Sequence, residues 1–237
     1  MHNVLILGAS GDIGSAISQQ LAEDGYSLLL HYNRNRQAME TLVKKINEEQ
    51  ILQIIQADLT LSSAVHKLCD EVVFPVDAII YVSGMAHFGL FHDTTEAEMD
   101  AMLHLHVKAP WLVTKYFLPE MLKKQKGNII FITSIWGDVG ASNEVIYSSV
   151  KGAQNSFIKA LAKEVGPSGI SVNAVSPGFI DTKMNEHVEK ELIISQIPLH
   201  RAGMTSEVAH TVSFLMDEKS NYIQGEIINI AGGWSPG

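Results

Sequence analysis

The sequence predicts a doubly wound α/β fold, a parallel sheet of about seven strands with helices on both faces, over residues 1–237 as one domain. Three observations carry this reading. Short continuous apolar runs such as Val4–Leu7 and Ala78–Val82 have the length and composition of strands buried on both faces. Stretches with apolar residues at helical spacing separate them, and that alternation implies parallel pairing through right-handed crossovers. A glycine-rich turn closes the first run, where an open α/β sheet binds its ligand.

In chain order, Val4–Leu7 leads into Gly8-Ala-Ser10-Gly11-Asp12-Ile13-Gly14, and Ile13, Ala16, Ile17 and Leu21 then mark a helix that stops near Gly25. Strand, glycine turn, helix is the order in which backbone amides and a helix N-terminus cradle a pyrophosphate; a plain tight turn is the alternative. Ser27–His31 is the second strand, with Asn33, Arg34 and Arg36 beyond its tip. A carboxylate there would select NAD, whereas arginine accommodates a 2'-phosphate. No Asp or Glu occurs between Gly25 and Met39, so NADP(H) is expected, unless the arginines only begin the next helix.

Met39, Leu42, Val43 and Ile46 mark that helix, and Leu52–Ile55 is the third strand. Asp58, followed by Leu59, either accepts from an adenine amino group or caps the helix carrying Val65, Leu68 and Val72. The fourth strand ends in Ser83-Gly84, and two helices are predicted between Thr94 and Lys124. Their apolar faces are candidates for a homo-oligomer contact. His104 and His106 lie two apart, with no third ligand, so no metal site is expected.

Asn128–Ile132 is the fifth strand and delivers Ser134 to the carboxyl edge of the sheet. A helix is predicted from about Glu144, because Ile146, Val150, Ala153, Phe157 and Leu161 recur at helical spacing. Tyr147 and Lys151 then share one face, where an ammonium would lower the phenol pKa toward the working pH; an ordinary surface pair has the same spacing. Ser171–Ser176 is the sixth strand and ends in the turn Pro177-Gly178-Phe179-Ile180-Asp181-Thr182. Lys183–Arg201 reads as a short helix and a proline-marked loop, a natural substrate lid. A helix over Ser206–Met216 and the strand Ile227–Ile230 close the fold.

Composition narrows the function. Seventeen basic and 26 acidic side chains give a net charge of -9, which argues against nucleic-acid binding. No apolar run approaches the roughly 18 residues of a membrane span, and the N-terminus carries no secretory pattern. A single cysteine, Cys69, excludes an internal disulfide framework, and a cytoplasmic location is expected.

Gly8 to Gly14, Asp58, Gly84, Ser134, Tyr147-x-x-x-Lys151 and Pro177-Gly178, in this order along the whole chain, resemble the short-chain dehydrogenase/reductase family. The resemblance implies a Rossmann-like domain in which Tyr147 is the general acid of carbonyl reduction and Ser134 binds the substrate oxygen. It makes Lys151 the holder of the nicotinamide ribose. It assigns the cofactor to Gly8, Ser10, Gly11, Asp12, Ile13, Gly14, Asn33, Arg34, Asp58, Leu59, Ser83, Gly84, Tyr147, Lys151, Pro177, Gly178, Ile180 and Thr182. The stretches Ser176–Thr182, Ile197–Gly203 and Tyr222–Trp234 are most similar to 3-oxoacyl-acyl-carrier-protein reductases, which implies a carrier-bound acyl substrate and a tetramer; related reductases of small alcohols, sugars and polyketides share that tail.

Three departures stand out. Asp12 replaces the family's middle glycine, Tyr81-Val-Ser-Gly84 replaces Asn-Asn-Ala-Gly, and His106 takes the place of the asparagine that holds a proton-relay water, which makes it a fourth candidate catalytic residue. Gln125 and Ser168 stand where the carrier-protein reductases carry docking arginines, with Lys123, Lys124 and Lys126 nearby.

Overall fold

Seven strands form one parallel sheet in the order β3-β2-β1-β4-β5-β6-β7. They are β1 (Asn3–Leu7), β2 (Ser27–Tyr32), β3 (Ile51–Gln56), β4 (Ala78–Tyr81), β5 (Gly127–Ile132), β6 (Ile170–Pro177) and β7 (Ile227–Ile230). The computed structural model of the chain describes residues 2–185 and 189–234. The helices are α1 (Asp12–Glu23), α2 (Arg36–Val43), α3 (Ser62–Glu71), α4 (Glu96–Leu103), α5 (Ala109–Lys124), α6 (Trp136–Val139), α7 (Val145–Val165), α8 (Lys190–Gln196) and α9 (Thr205–Met216).

The period-2 geometry of a strand decides the layers. Leu5 and Leu7 point to one face, where they meet Val65 and Leu68 of α3, Val113 and Phe117 of α5, and Ile158 and Leu161 of α7. Val4 and Ile6 point to the other, against Ile17 and Leu21 of α1, Met39 and Leu42 of α2, and Val208 and Val212 of α9. Each such side chain contributes about 1.5–3 kcal/mol on full burial, which explains why the strands read as unbroken apolar runs. Cys69 lies in the first of these layers, where burial pushes its thiol up to about 12 and leaves it unreactive.

Strand order reverses between β1 and β4, so their carboxyl ends open a crevice at a topological switch point. Gly8, Ser83, Ser134 and Gly178 follow the strand ends along this edge.

The predicted strands and major helices occur, with boundaries displaced by up to three residues. One difference is larger. The two helices predicted between Thr94 and Lys124 run together through a π-turn over His104–Lys108, rather than breaking at a loop. The extra residue of a π-turn rotates the chain locally, and such turns recur at functional sites. In the lid stretch, α8 is the short helix, and residues 186–188 lie outside the described residues.

Candidate active site

The glycine turn fits a pyrophosphate. Gly8 has φ +97°, and a Cβ there would stand 2.7 Å from the Ser83 amide nitrogen; at Gly14 it would stand 2.1 Å from the Gly8 carbonyl oxygen. Strand β1, helix α1 and the β4 turn therefore approach more closely than side chains permit. Helix α1 begins at Gly11 with no side-chain cap, so its first amides point out of the helix end unclaimed by a capping group.

His31 braces this turn. The Gly8 N–H donates to its Nδ1 at 3.1 Å, which puts the ring proton on Nε2, 3.0 Å from the Ala57 carbonyl. Burial lowers its pKa to about 4, so the ring is neutral at ordinary pH. The next residue but one after Ala57 in this corner is Leu59, whose side chain belongs to the core.

At Asp58, the carboxylate Oδ1 accepts from the Thr60 N–H at 3.0 Å and hydroxyl at 2.7 Å. Burial works to raise this carboxyl, but the Thr60 bonds, the Arg34 charge and a hydrogen bond from Asn33 outweigh it and hold it below the usual range. Of the two readings of Asp58, the helix cap is not the one seen: α3 has Leu61 at its N-cap, and Asp58 closes a local turn three residues earlier. Arg36 pairs with Glu40 on the surface of α2, while Arg34 faces the Asp58 corner.

Asp12 turns away from the glycine turn. Its Oδ2 accepts from the Lys183 N–H at 2.8 Å, tying the start of α1 to the chain just beyond Thr182. Ile180, by contrast, is buried and pairs with Gly203 across a single bridge, and Gly178 abuts Ala231 so closely that a Cβ would meet it at 2.9 Å. The Pro177–Thr182 turn is thus a packed shelf whose main chain borders the crevice.

Ser134, Tyr147 and Lys151 come together between β5 and α7. The Ser134 hydroxyl neighbours the Tyr147 phenol and favours its ionised form. Lys151 is buried, and its ammonium donates to the Ile132 carbonyl at 2.9 Å, with Nζ 5.6 Å from the centroid of the Tyr147 ring. The expected lowering of the tyrosine pKa is corrected. Burial pushes the phenol up to about 12, the Glu144 charge adds to this, and the Ser134 hydroxyl opposes it. Burial also brings Lys151 down to about 7. Desolvation wins over pair attraction because the ammonium is committed to a backbone carbonyl rather than to the phenol.

His106 joins this group, and His104 does not. The π-turn sends His104 to the β3–α3 loop, where its ring nitrogens meet the Leu59 carbonyl and the Ser62 hydroxyl at 2.9 and 2.8 Å. The His106 ring stands edge-on to Tyr147, centroids 5.7 Å apart. Its Nε2 contacts the Met85 N–H at 3.2 Å and the Met85 carbonyl at 3.0 Å, and Nδ1 has no hydrogen-bond partner among the described residues. Burial, then the Lys151 charge, lower its pKa to about 3, so it is neutral. Gly84 leaves room for it, since a Cβ there would meet His106 Cε1 at 2.8 Å.

Two neighbours escaped the sequence reading. Glu144 stands one turn before Tyr147, where burial raises its carboxyl and the Trp136 side chain partly offsets that rise. Trp136 packs edge-on against Trp234 at 5.2 Å. A charged residue three before the tyrosine was the available signal.

The chain is similar to known proteins over almost its whole length. A family model described as Enoyl-(Acyl carrier protein) reductase matches residues 8–235. An uncharacterized oxidoreductase of Bacillus subtilis is 47% identical, over 97% of each chain. A 3-oxoacyl-[acyl-carrier-protein] reductase of Staphylococcus aureus is 32% identical over 98% of this chain and 97% of its own. Among solved structures, ElxO with NADP bound superposes with a TM-score of 0.89 at 28% identity, over 98% of both chains. A short-chain dehydrogenase/reductase from Serratia marcescens gives 0.91 at 25% identity, over 99% of this chain and 98% of that one. These likenesses and the sheet order define an oxidoreductase of the Rossmann type. Within that class, the chain belongs to the short-chain dehydrogenase/reductase family.

Proposed function

We propose that residues 1–237 form one NADPH-dependent carbonyl reductase that reduces a 3-oxoacyl thioester, linked to acyl-carrier protein or coenzyme A, to its 3-hydroxyacyl form. The observation that carries the reaction is the convergence of Tyr147 and the buried Lys151, whose Nζ lies 5.6 Å from the Tyr147 ring, beside Ser134 at the carboxyl edge of β5. Ser134 and Tyr147 hold the substrate carbonyl oxygen, and Tyr147 gives it a proton. A reduced nicotinamide cofactor held by these residues would supply the hydride. Gly8, Ser10, Gly11, Asp12, Ile13 and Gly14 border the pyrophosphate, Asn33, Arg34 and Asp58 with the Leu59 main chain the adenosine, and Ser83, Gly84 and Pro177–Thr182 the nicotinamide half. Arg34 meets the 2'-phosphate, which is the reason for preferring NADP(H). Lys151 holds the ribose and His106 passes protons as a neutral ring.

The acyl substrate is supported by the reductases that share about a third of the sequence, and with it a place in fatty acid synthesis in the cytoplasm. Exposed Leu103, Trp111, Tyr116 and Leu122 on α4 and α5 suit the homotetramer implied by the family resemblance.

A second reading assigns a small alcohol, sugar or polyketide ketone, and one observation favours it. Lys123, Lys124 and Lys126 are paired with Glu120, Asp77 and Glu218, so this rim offers an acidic carrier little free positive charge. These lysines also precede β5, at the opposite end of that strand from Ser134. A sensor without turnover is disfavoured, because binding NADP requires no serine, tyrosine and lysine in this geometry.

The test is NADPH oxidation with acetoacetyl thioesters on coenzyme A and on carrier protein, beside a panel of small ketones. Preference for the thioesters is expected, with loss of turnover in Tyr147→Phe. An unchanged rate in that variant would reject the mechanism, and a preference for free ketones would select the second reading.

A further inference from the structure

A second serine and histidine meet outside the site described above. His104 leaves the π-turn toward the β3–α3 loop, where its Nδ1 lies 2.9 Å from the Leu59 carbonyl oxygen and its Nε2 lies 2.8 Å from the Ser62 hydroxyl. A backbone carbonyl only accepts, so in the neutral ring Nδ1 carries the proton and Nε2 is the bare acceptor. The Ser62 O–H therefore donates to Nε2. A serine whose proton already rests on an imidazole, itself oriented by a third group, has the arrangement of an activated nucleophile.

The backbone around Ser62 adds donors. Ser62 is the first residue of α3, and Leu61, at the N-cap, provides no side-chain cap. The amides of Ala64 and Val65 both bond to the Leu61 carbonyl, whereas those of Ser62 and Ser63 have no partner among the described residues. An oxyanion forming on a group attached to Ser62 would meet these N–H groups, the nucleophile's own amide among them.

Access and charge narrow the ligand. Ser62 and His104 are both partly exposed, and the side chain of Leu61, next to the serine, faces solvent. Apolar surface beside the nucleophile suits the carbon chain of an acyl group. The Asp58 carboxylate closes the turn that leads into α3, accepting from the Thr60 N–H and hydroxyl. A negative charge in that loop disfavours phosphates and carboxylates and leaves uncharged acyl donors.

We propose that Ser62 and His104 form a second site, one that takes acyl groups from uncharged esters and thioesters, with Ser62 as nucleophile, His104 as general base and the Leu59 carbonyl as the group that orients it. Ser62 Oγ bonds to the acyl carbon while its proton passes to His104 Nε2. The bond from that carbon to the leaving oxygen or sulfur breaks, and the leaving group departs with the proton. Water then attacks the acyl-serine with Nε2 as base, Ser62 regains its proton, and a carboxylic acid is released. The step needs neither NADPH nor Tyr147, so it stands apart from carbonyl reduction.

The test treats the full chain, without cofactor, with a fluorophosphonate, which forms an Oγ–P bond as fluoride leaves with the serine proton, and maps the label by peptide mass spectrometry. Ser62 is expected to react at least about a hundredfold faster than Ser63, its exposed neighbour, and His104→Gln should remove that advantage. Hydrolysis of p-nitrophenyl acetate should fall in Ser62→Ala by a similar factor. Because His104→Gln also loosens the π-turn, a second pair of variants keeps the ring: the thiol of Ser62→Cys should react with iodoacetamide at least about tenfold faster than that of Ser63→Cys. Equal labelling of the two serines, labelling of Ser62 that survives His104→Gln, equal thiol rates, or ester hydrolysis unchanged in Ser62→Ala would each overturn the inference. NADPH oxidation, measured separately on the same wild-type protein, reports on the reductase reading alone.

Discussion

Lys151 donates to the carbonyl of Ile132 at 2.9 Å, so the ammonium is anchored to the last residue of β5 rather than to the phenol four residues before it. That anchor holds a charged group in a buried place, and the consequences for activity and stability separate. Lys151→Met keeps the volume and removes the charge, and replacing a buried charge by a well-packed apolar group is often neutral or stabilising. The variant should lose turnover by at least about a hundredfold while its urea stability at pH 7 stays within about 1 kcal/mol or rises. The pH dependence gives a second check. With a folded pKa of about 7, below the ordinary 10.5, the unfolded lysine binds more protons between these values, and wild-type stability gains up to about 1.4 kcal/mol per pH unit there. Unfolding at pH 7 and 9 should show that contribution in wild type and its loss in Lys151→Met.

Tyr147→Phe removes the proton donor and leaves in place the ring that meets His106 at a right angle. Activity on any ketone substrate should fall by about 10²–10⁴, the usual contribution of a positioned acid. NADPH affinity by fluorescence titration should change by less than about threefold, because the phenol proton, not the pocket, is what was lost.

His31 and His106 are held neutral in the folded chain at values of about 4 and about 3, below the ordinary 6.5. Between those limits the unfolded state binds the extra protons, so stability is full above about pH 6.5 and is lost as the pH falls toward 3–4. Each contributes roughly 1.4 kcal/mol per pH unit at most. Urea midpoints from pH 7 to 4.5 should fall, and His31→Gln should flatten the slope by one group's share.

Asp12 offers a charge test at the glycine turn. Asparagine can still accept from the Lys183 N–H, so Asp12→Asn removes the negative charge and keeps the tie. Its KM for NADPH should drop a few-fold, since one anion near the helix start no longer opposes another. Asp12→Ala also loses the tie, and proteolysis near Lys183 should quicken only in that variant.

Arg34 should set the cofactor preference. A charge-assisted hydrogen bond contributes about 1.5–3 kcal/mol, so Arg34→Ala should raise the KM for NADPH by about tenfold or more. The KM for NADH, which lacks the 2'-phosphate, should hardly move, and equal changes for both cofactors would dissociate Arg34 from the phosphate.

Most of the fold was legible from the sequence, and the reason is local. The apolar runs from Val4–Leu7 to Ile227–Ile230 each carry their own period, and a run buried on both faces looks the same wherever it lies in the sheet. Gly8 and Gly14 were readable because a βα turn places its glycines within one segment. Tyr147 and Lys151 were readable because four residues on one helix meet whatever packs around them. The π-turn at His104–Lys108 was not, since the helical period continues through it and only packing decides the extra residue.

What the tertiary structure alone decided concerns groups distant in sequence and the solvent each group has lost. Asp12 meets Lys183 across 171 positions, and Gly8 meets His31 across 23, at contacts that no spacing rule announces. The sequence by itself determined the sheet and the glycine turn, and marked Ser134, Tyr147 and Lys151 as candidates. Their protonation was decided by the fold. Ionisation depends on how much solvent a group has lost and which charges surround it, as the depressed Lys151 and the elevated Tyr147 both illustrate, and neither quantity exists until the chain has closed around them.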